Sequence, residues 1–203
     1  MRSMEKESEL LIRSALHDLA NVLAGVRGIL ELADPSRPLS PRDRARLDAV
    51  VEEGLATLVR TRHLAMGTLP EDGEQEGPDW RGQLADELQP LGTLFRCAFT
   101  ITLGAGAGPD RWPGTRLRSY VRAAVRQALP YCRGGAMTIL CEPEPREWRL
   151  RLAPIDILPE GLAAQAIEGS GDIGARWAQH LGRAQDIGLS WQDGELRIRV
   201  PRG

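Results

Sequence analysis

The chain has 203 residues, 42% hydrophobic and 27% charged, with 26 basic and 28 acidic side chains for a net charge of −2. That composition is ordinary for a globular protein able to bury a core, and the near-neutral balance excludes a general electrostatic pull toward nucleic acid or anionic lipid. Cys97, Cys132 and Cys141 form no CxxC pair, which argues against a disulfide framework or zinc site and for a reducing compartment, with the three thiols acting as small buried apolar residues.

The opening segment, MRSMEKESELLIRSAL, carries charges through its first eight positions and lacks both an unbroken apolar stretch and a small-residue cleavage site, so it is not a secretory signal. No segment approaches the roughly 20 apolar residues that span a bilayer. The expectation is a cytoplasmic protein that engages neither membrane nor nucleic acid. Met1 and the ending Pro201-Arg202-Gly203 are what a complete short chain would show.

From Glu5 to about Ala33 the apolar positions Ile12, Leu16, Leu19, Leu23, Val26 and Leu30 recur at spacings of four, three, four, three and four, the seam of a coiled-coil-like helix. The segment DPSRPLSP breaks it. Ser40, Pro41 and Asp43 then supply an N-cap, a first-turn proline and a first-turn acid, predicting a second helix from about Pro41 to Met66. Its stripe of Leu47, Val51, Gly54, Leu58 and Ala65 continues a similar spacing. Two long helices on a short loop make an antiparallel hairpin with one face uncovered, and a second copy completing a four-helix bundle is the economical cover.

Residues 68–79 are acidic, rich in glycine and proline and poor in apolar side chains, which marks a linker. The expected division is 1–67 for the hairpin, 68–79 for the linker and 80–203 for a second domain. In that domain the patterns predict a helix near 80–92, a strand at Cys97–Leu103 and a helix at Arg116–Leu129. Strands follow at Met137–Glu142 and Trp148–Ile155, then short helices at Pro159–Glu168 and Ile173–Leu181. The chain closes with strands Ile187–Gln192 and Glu195–Val200 around Asp193-Gly194. The fold class is therefore α+β, a helical hairpin followed by an α/β sandwich with helices on one face of a mixed sheet. Trp80, Trp112, Trp148, Trp177 and Trp191 are expected mainly in its core.

The residues that carry chemistry lie in His17-Asp18-Leu19-Ala20-Asn21-Val22-Leu23-Ala24-Gly25-Val26-Arg27-Gly28. His17 follows seam residue Leu16, so its ring is turned about 100 degrees from the seam, toward solvent at the bundle's edge. Asn21 and Gly25 continue its strip, with Ala24 and Gly28 beside them. Glycine costs a helix interior about 1 kcal/mol relative to alanine, so two glycines beside an exposed histidine point to close approach by another protein. A neutral imidazole offers one ring nitrogen as a nucleophile, and Asp18 stands where it can orient the ring. His63 and His180 lack such a setting and are expected as a helix-end residue and a surface residue.

The run HDLANVLAGVRGILELA resembles the phosphoacceptor box of sensor histidine kinases, HD-hydrophobic-x-N-x-L-x-x-hydrophobic-x-G. The order of hairpin, linker and α/β domain is similar to that family's dimerisation and phosphotransfer domain followed by its ATP-binding domain. The later motifs depart from the family. Gln127 stands where a Mg²⁺-ATP-holding asparagine is expected. Ile155-Asp156-Ile157-Leu158-Pro159 replaces D-x-G-x-G, and Gly169-Ser170-Gly171-Asp172-Ile173-Gly174 is all that remains of the glycine-rich lid. Loss of the glycines removes close backbone approach, and Asp172 would repel phosphates.

A good phosphoacceptor helix joined to a degenerate ATP-binding domain resembles histidine phosphotransferases of the ChpT type. The resemblance implies a homodimer in which His17 is the phosphoacceptor, with Asp18 and Asn21 its neighbours and Ala24, Gly25 and Gly28 in the docking strip for response-regulator receiver domains. It implies no cofactor or metal held by this chain and no ATP binding, Mg²⁺ coming from the receiver's own acidic pocket. Two alternatives remain: a non-catalytic dimeric interaction or inhibitor module of two-component signalling, and a divergent ATP-dependent kinase.

Overall fold

In a computed structural model, which describes residues 2–34, 36–73, 75–104, 111–112, 114–132, 135–153 and 173–201, the periodic N-terminal segment forms one helix, α1 (Arg2–Leu32). It packs against α2 (Pro41–Met66). Ser40 caps α2, its Oγ accepting from the Asp43 N–H at 3.1 Å, with Pro41 in the first turn. At the other end Gly67 turns left-handed at φ +61° while the Thr68 N–H donates to the His63 carbonyl at 3.0 Å. Val22 meets Gly54 and Gly25 meets Val50, so the helices run antiparallel. A Cβ on Gly54 would stand 2.9 Å from Val22 Cγ1, which makes Gly54 the residue that lets the helices close.

The apolar stripe expected as the buried seam is not the line along which these two helices meet. Ile12, Leu16, Leu23 and Leu30 of α1 are exposed, as are Val51, Leu55, Leu58 and Val59 of α2, while Ala15, Ile29, Ala49 and Val50 are buried. The reason is steric: Gly54 and Gly25 admit Val22 and Val50 at close range within the chain, and the larger stripe is left to project from the opposite side.

Next come a two-residue strand β1 (Gln75–Glu76), helix α3 (Gly77–Phe95), β2 (Ala98–Leu103), a short β3 (Arg111–Trp112) and α4 (Thr115–Ala128). A 3₁₀ turn at Leu129–Tyr131 leads into β4 (Ala136–Pro143) and β5 (Glu147–Ala153), and α5 (Ile173–Gln185), β6 (Gly188–Gln192) and β7 (Glu195–Pro201) close the chain. The main sheet has the order β2-β4-β5-β7-β6, parallel between β2 and β4 and antiparallel elsewhere. Period-two alternation decides its faces. Met137, Ile139 and Cys141, Trp148, Leu150 and Leu152, and Leu196, Ile198 and Val200 are buried in one core with α3, α4 and α5, whereas the arginines and glutamates between them face away. Each fully buried leucine there, such as Leu84, Leu88 or Leu150, contributes roughly 1.5–3 kcal/mol of transfer free energy. The fold is α+β.

Trp80, Trp112 and Trp148 form a stack with ring centroids 4.9 and 4.1 Å apart. Trp177 is buried and Trp191 packs partly buried against the core. Burial pushes the Cys97 and Cys141 thiols up to about 11 and about 12, so both stay protonated as small apolar groups. The final hairpin turns at Asp193 and Gly194 with φ of +54° and +77°, a left-handed geometry that Asp accommodates better than most residues and glycine, without a Cβ, freely. Three differences from the sequence expectation concern α3 and its surroundings. The helix begins at Gly77 rather than near 80, runs on to Phe95 through an internal Pro90, and is preceded by β1, which lies in the segment expected as linker and pairs with β3 at Arg111–Trp112. The helix expected at 159–168, the strand residues beyond Ala153, and Asp156 and 169–172 lie outside the described residues. Among the described residues no helix is long and apolar enough to cross a membrane.

Candidate functional site

His17 lies at mid-height of α1, where the side chain is 72% exposed. Its Nδ1 stands 3.4 Å from Asp18 Oδ1 and 3.4 Å from Asn21 Nδ2. Both separations are long for hydrogen bonds, so these neighbours steer the ring without clamping it. Nε2 has no partner among the described residues and faces solvent. With the proton on Nδ1 donated toward the Asp18 carboxylate, Asn21 Nδ2, itself a donor, makes no bond to that nitrogen, and the Nε2 lone pair is left outward, the arrangement a nucleophile needs.

Asp18, adjacent in sequence, points the other way, its side chain only 3% exposed. Its Oδ2 accepts the Ile173 N–H, the first of α5, at 3.0 Å across 155 positions of chain. The carboxylate thus caps a helix of the second half, where the positive end of the helix dipole favours it. Orienting His17 was the expected task for Asp18; fastening α5 to α1 is a second task that its sequence neighbourhood does not disclose.

The other expected site residues spread along α1. Asn21 and Ala24 are exposed. Gly25 faces Val50 of the same chain, where a Cβ would make contact at 3.4 Å, so α2 itself gives this glycine a neighbour. A Cβ on Gly28 would meet nothing within 4 Å. His63 accepts or donates at 2.9 Å to Thr68 Oγ1 at the end of α2, and its ring lies 5.5 Å from that of Trp177. His180 Nε2 lies 3.2 Å from the Thr68 carbonyl, with its ring 5.7 Å from that of Trp177. Gln127 is half-buried on α4.

A second cluster escaped the sequence reading. Ser14, Asp18, Glu53, Thr57 and Arg60 are the buried polar residues of the hairpin among the described residues, and at Glu53 α2 meets the arginines of α4. Glu53 Oε1 accepts from Arg60 Nη2 at 2.6 Å and from Arg126 Nη1, and Oε2 accepts from Arg122 Nη2 at 2.7 Å. Burial by itself would raise the Glu53 pKa, but the three guanidiniums outweigh it and hold the carboxyl below its ordinary value. One turn away Arg118 donates to Glu87 of α3 at 2.8 Å. A signal was present: Glu53, Thr57 and Arg60 share one face of α2, and Arg118, Arg122 and Arg126 recur every four residues on α4. Nothing in either stripe names the other as its partner.

No protein-family model matches this sequence, and no match emerges among curated proteins. Solved structures do match in shape. The Acinetobacter baumannii histidine kinase AdeS is similar at a TM-score of 0.56 and 15% identity, over 94% of this chain and 96% of that one. A structure described as a bacterial phosphotransferase matches at a TM-score of 0.51 and 13% identity, over 95% and 94%. Full-length ShkA, solved in complex with AMPPNP, matches at 0.55 and 14% identity over 95% of this chain and 45% of its own. At such identities the likeness is one of architecture: helical hairpin and mixed five-stranded sheet together make the fold that these histidine kinase-type chains and this one share.

Proposed function

We propose that the chain is a dimeric histidine phosphotransferase of the ChpT type, acting in the cytoplasm, in which His17 accepts a phosphoryl group from an aspartyl phosphate on a response-regulator receiver domain and returns it to another receiver's aspartate. The observation that carries this reading is an outward Nε2 on a ring flanked by Asp18 and Asn21. In the forward step the Nε2 lone pair attacks phosphorus, the bond between phosphorus and the aspartyl oxygen breaks, and the receiver's carboxylate leaves with the electron pair. The proton stays on Nδ1, and the positive charge then borne by the ring is met by Asp18 Oδ1. Further along α1 from His17, Ala24 and Gly28 offer small surfaces that suit the close approach of a receiver, whereas Gly25 is turned toward Val50 of α2.

Two further observations support the reading. The hairpin is inside out for a lone unit, with polar residues on the side that meets α5 and the arginines of α4 and large aliphatic ones exposed opposite, as expected where a second copy covers the apolar side. The N-terminus of α5 follows directly on the shortened glycine segment and already holds the Asp18 carboxylate. A helix N-terminus is a ready place for phosphate, so a nucleotide arriving there would meet a fixed negative charge. With Gln127 in place of the expected asparagine, this favours a relay over an ATP-dependent kinase.

The test is a transfer assay with a receiver charged by a small phosphodonor. The wild-type chain should drain label from the receiver onto a base-stable, acid-labile linkage without ATP, and His17→Gln should carry none. Labelling of His17 from ATP would establish the kinase instead. Failure to label with any receiver, together with a cellular effect that survives His17→Gln, would leave the interaction module.

A further inference from the structure

The Glu53 cluster is unbalanced. One carboxylate faces the guanidiniums of Arg60, Arg122 and Arg126, which leaves two positive charges unmatched at the junction of α2 with α4. Those three arginines have no other ionic partner among the described residues. Glu53 and Arg60 are 8% and 7% exposed, whereas Arg122 and Arg126 are 16% and 23% exposed, so the cluster is closed at one end and open at the other. Donors are also left over. A guanidinium carries five N–H groups; Arg60 spends its Nη2 on Glu53 and on Thr57 Oγ1, Arg122 its Nη2 and Arg126 its Nη1. The Nε atoms of Arg60 and Arg122 are buried without an acceptor among the described residues. Buried cations are ordinarily paired and buried donors ordinarily satisfied; here three guanidiniums share a single carboxylate, and two of the three also hold an unsatisfied buried donor.

We infer that Arg60, Arg122 and Arg126 form a binding site for a phosphate-class dianion, which enters at the open edge between Arg122 and Arg126. A dianion matches the two surplus charges, and tetrahedral oxygens match the paired N–H groups of a guanidinium fork, which a chloride cannot. Burial and the two neighbouring guanidiniums weaken Arg60's hold on its proton against the pull of Glu53, and an added anion would relieve that. Glu53 adjoins Gly54, which meets Val22, one turn of α1 beyond Asp18. Occupancy of the site would therefore tighten the tie between α2 and α4, close to where Asp18 fastens α5 to α1. The inference stands independently of the relay reading, since it needs no chemistry at His17.

The rival is a plain ionic staple with no ligand. Inorganic phosphate and a phosphomonoester are titrated into the full chain at constant ionic strength made up with chloride, followed by calorimetry and by thermal unfolding. The site predicts saturable heat and a Tm that rises with phosphate, both absent for chloride. In Arg126→Gln the affinity should fall about tenfold, the scale of one charge-assisted hydrogen bond. Glu53→Gln separates the two views: it removes the competing carboxylate, so phosphate should bind more tightly and recover Tm lost in that variant. Binding of inorganic phosphate alone supports a closed site, and binding of the monoester as well supports an open one. Equal responses to phosphate and chloride, phosphate affinity unchanged in Arg126→Gln, or a Glu53→Gln protein that phosphate does not stabilise would each overturn the inference.

Discussion

Two adjacent residues on α1 divide the labour at the candidate site. One helical step of about 100 degrees separates His17, in solvent, from Asp18, in the junction with α5. Asp18→Ala should therefore weaken the hold on α5, costing about 0.5–2 kcal/mol as loss of a helix cap, and hydrogen exchange should quicken at the first turn of α5 while the sheet keeps its protection. Asp18→Asn retains an acceptor oxygen and should retain most of that protection. Equal exchange in wild type and Asp18→Ala would remove the cap from the account. The exposure of His17 was legible because a residue's angular place on a long helix follows from its number. The buried tie of Asp18 was not, because a backbone N–H 155 positions away leaves no mark on the sequence near it.

At the scale of elements, α2 and α4 are joined by charge where α1 and α2 are joined by small apolar residues. The Glu53 carboxyl, faced by Arg60 from its own helix and by Arg122 and Arg126 from α4, is held below its ordinary pKa. Its folded-state value lies under its unfolded value, so its stabilising contribution is fully present above the unfolded pKa and is lost as pH falls through the folded one. Urea midpoints should accordingly drop on acidification below about pH 5, the upper edge of carboxylate titration, and Glu53→Gln, already destabilised at neutral pH, should show a shallower drop. Parallel pH profiles for the two proteins would dissociate Glu53 from the junction. The strands were readable one by one, since Leu196, Ile198 and Val200 alternate with Arg197 and Arg199. Two-residue strands such as β1 and β3 are too short for periodicity to show, and pairing alone makes them strands.

For the whole molecule, the exposed aliphatic side of the hairpin is the feature with the largest consequence. Leu16 and Leu23 are 63% and 67% exposed on that side, remote from the polar face that meets α4 and α5. Replacing both by glutamate should convert a dimer into a monomer in light scattering and leave the thermal transition of the sheet domain in place; a wild-type chain that is monomeric at micromolar concentration would refute the bundle. Local periodicity by itself determined the two long helices, the terminal hairpin and the exposed histidine, because helix and strand repeats are written in spacings of three, four and two. Which apolar stripe closes within one chain, which carboxylate caps which helix, and that one glutamate gathers three arginines were decided only by tertiary structure. Those contacts depend on side-chain size and on packing between segments far apart in the chain, neither of which a spacing records.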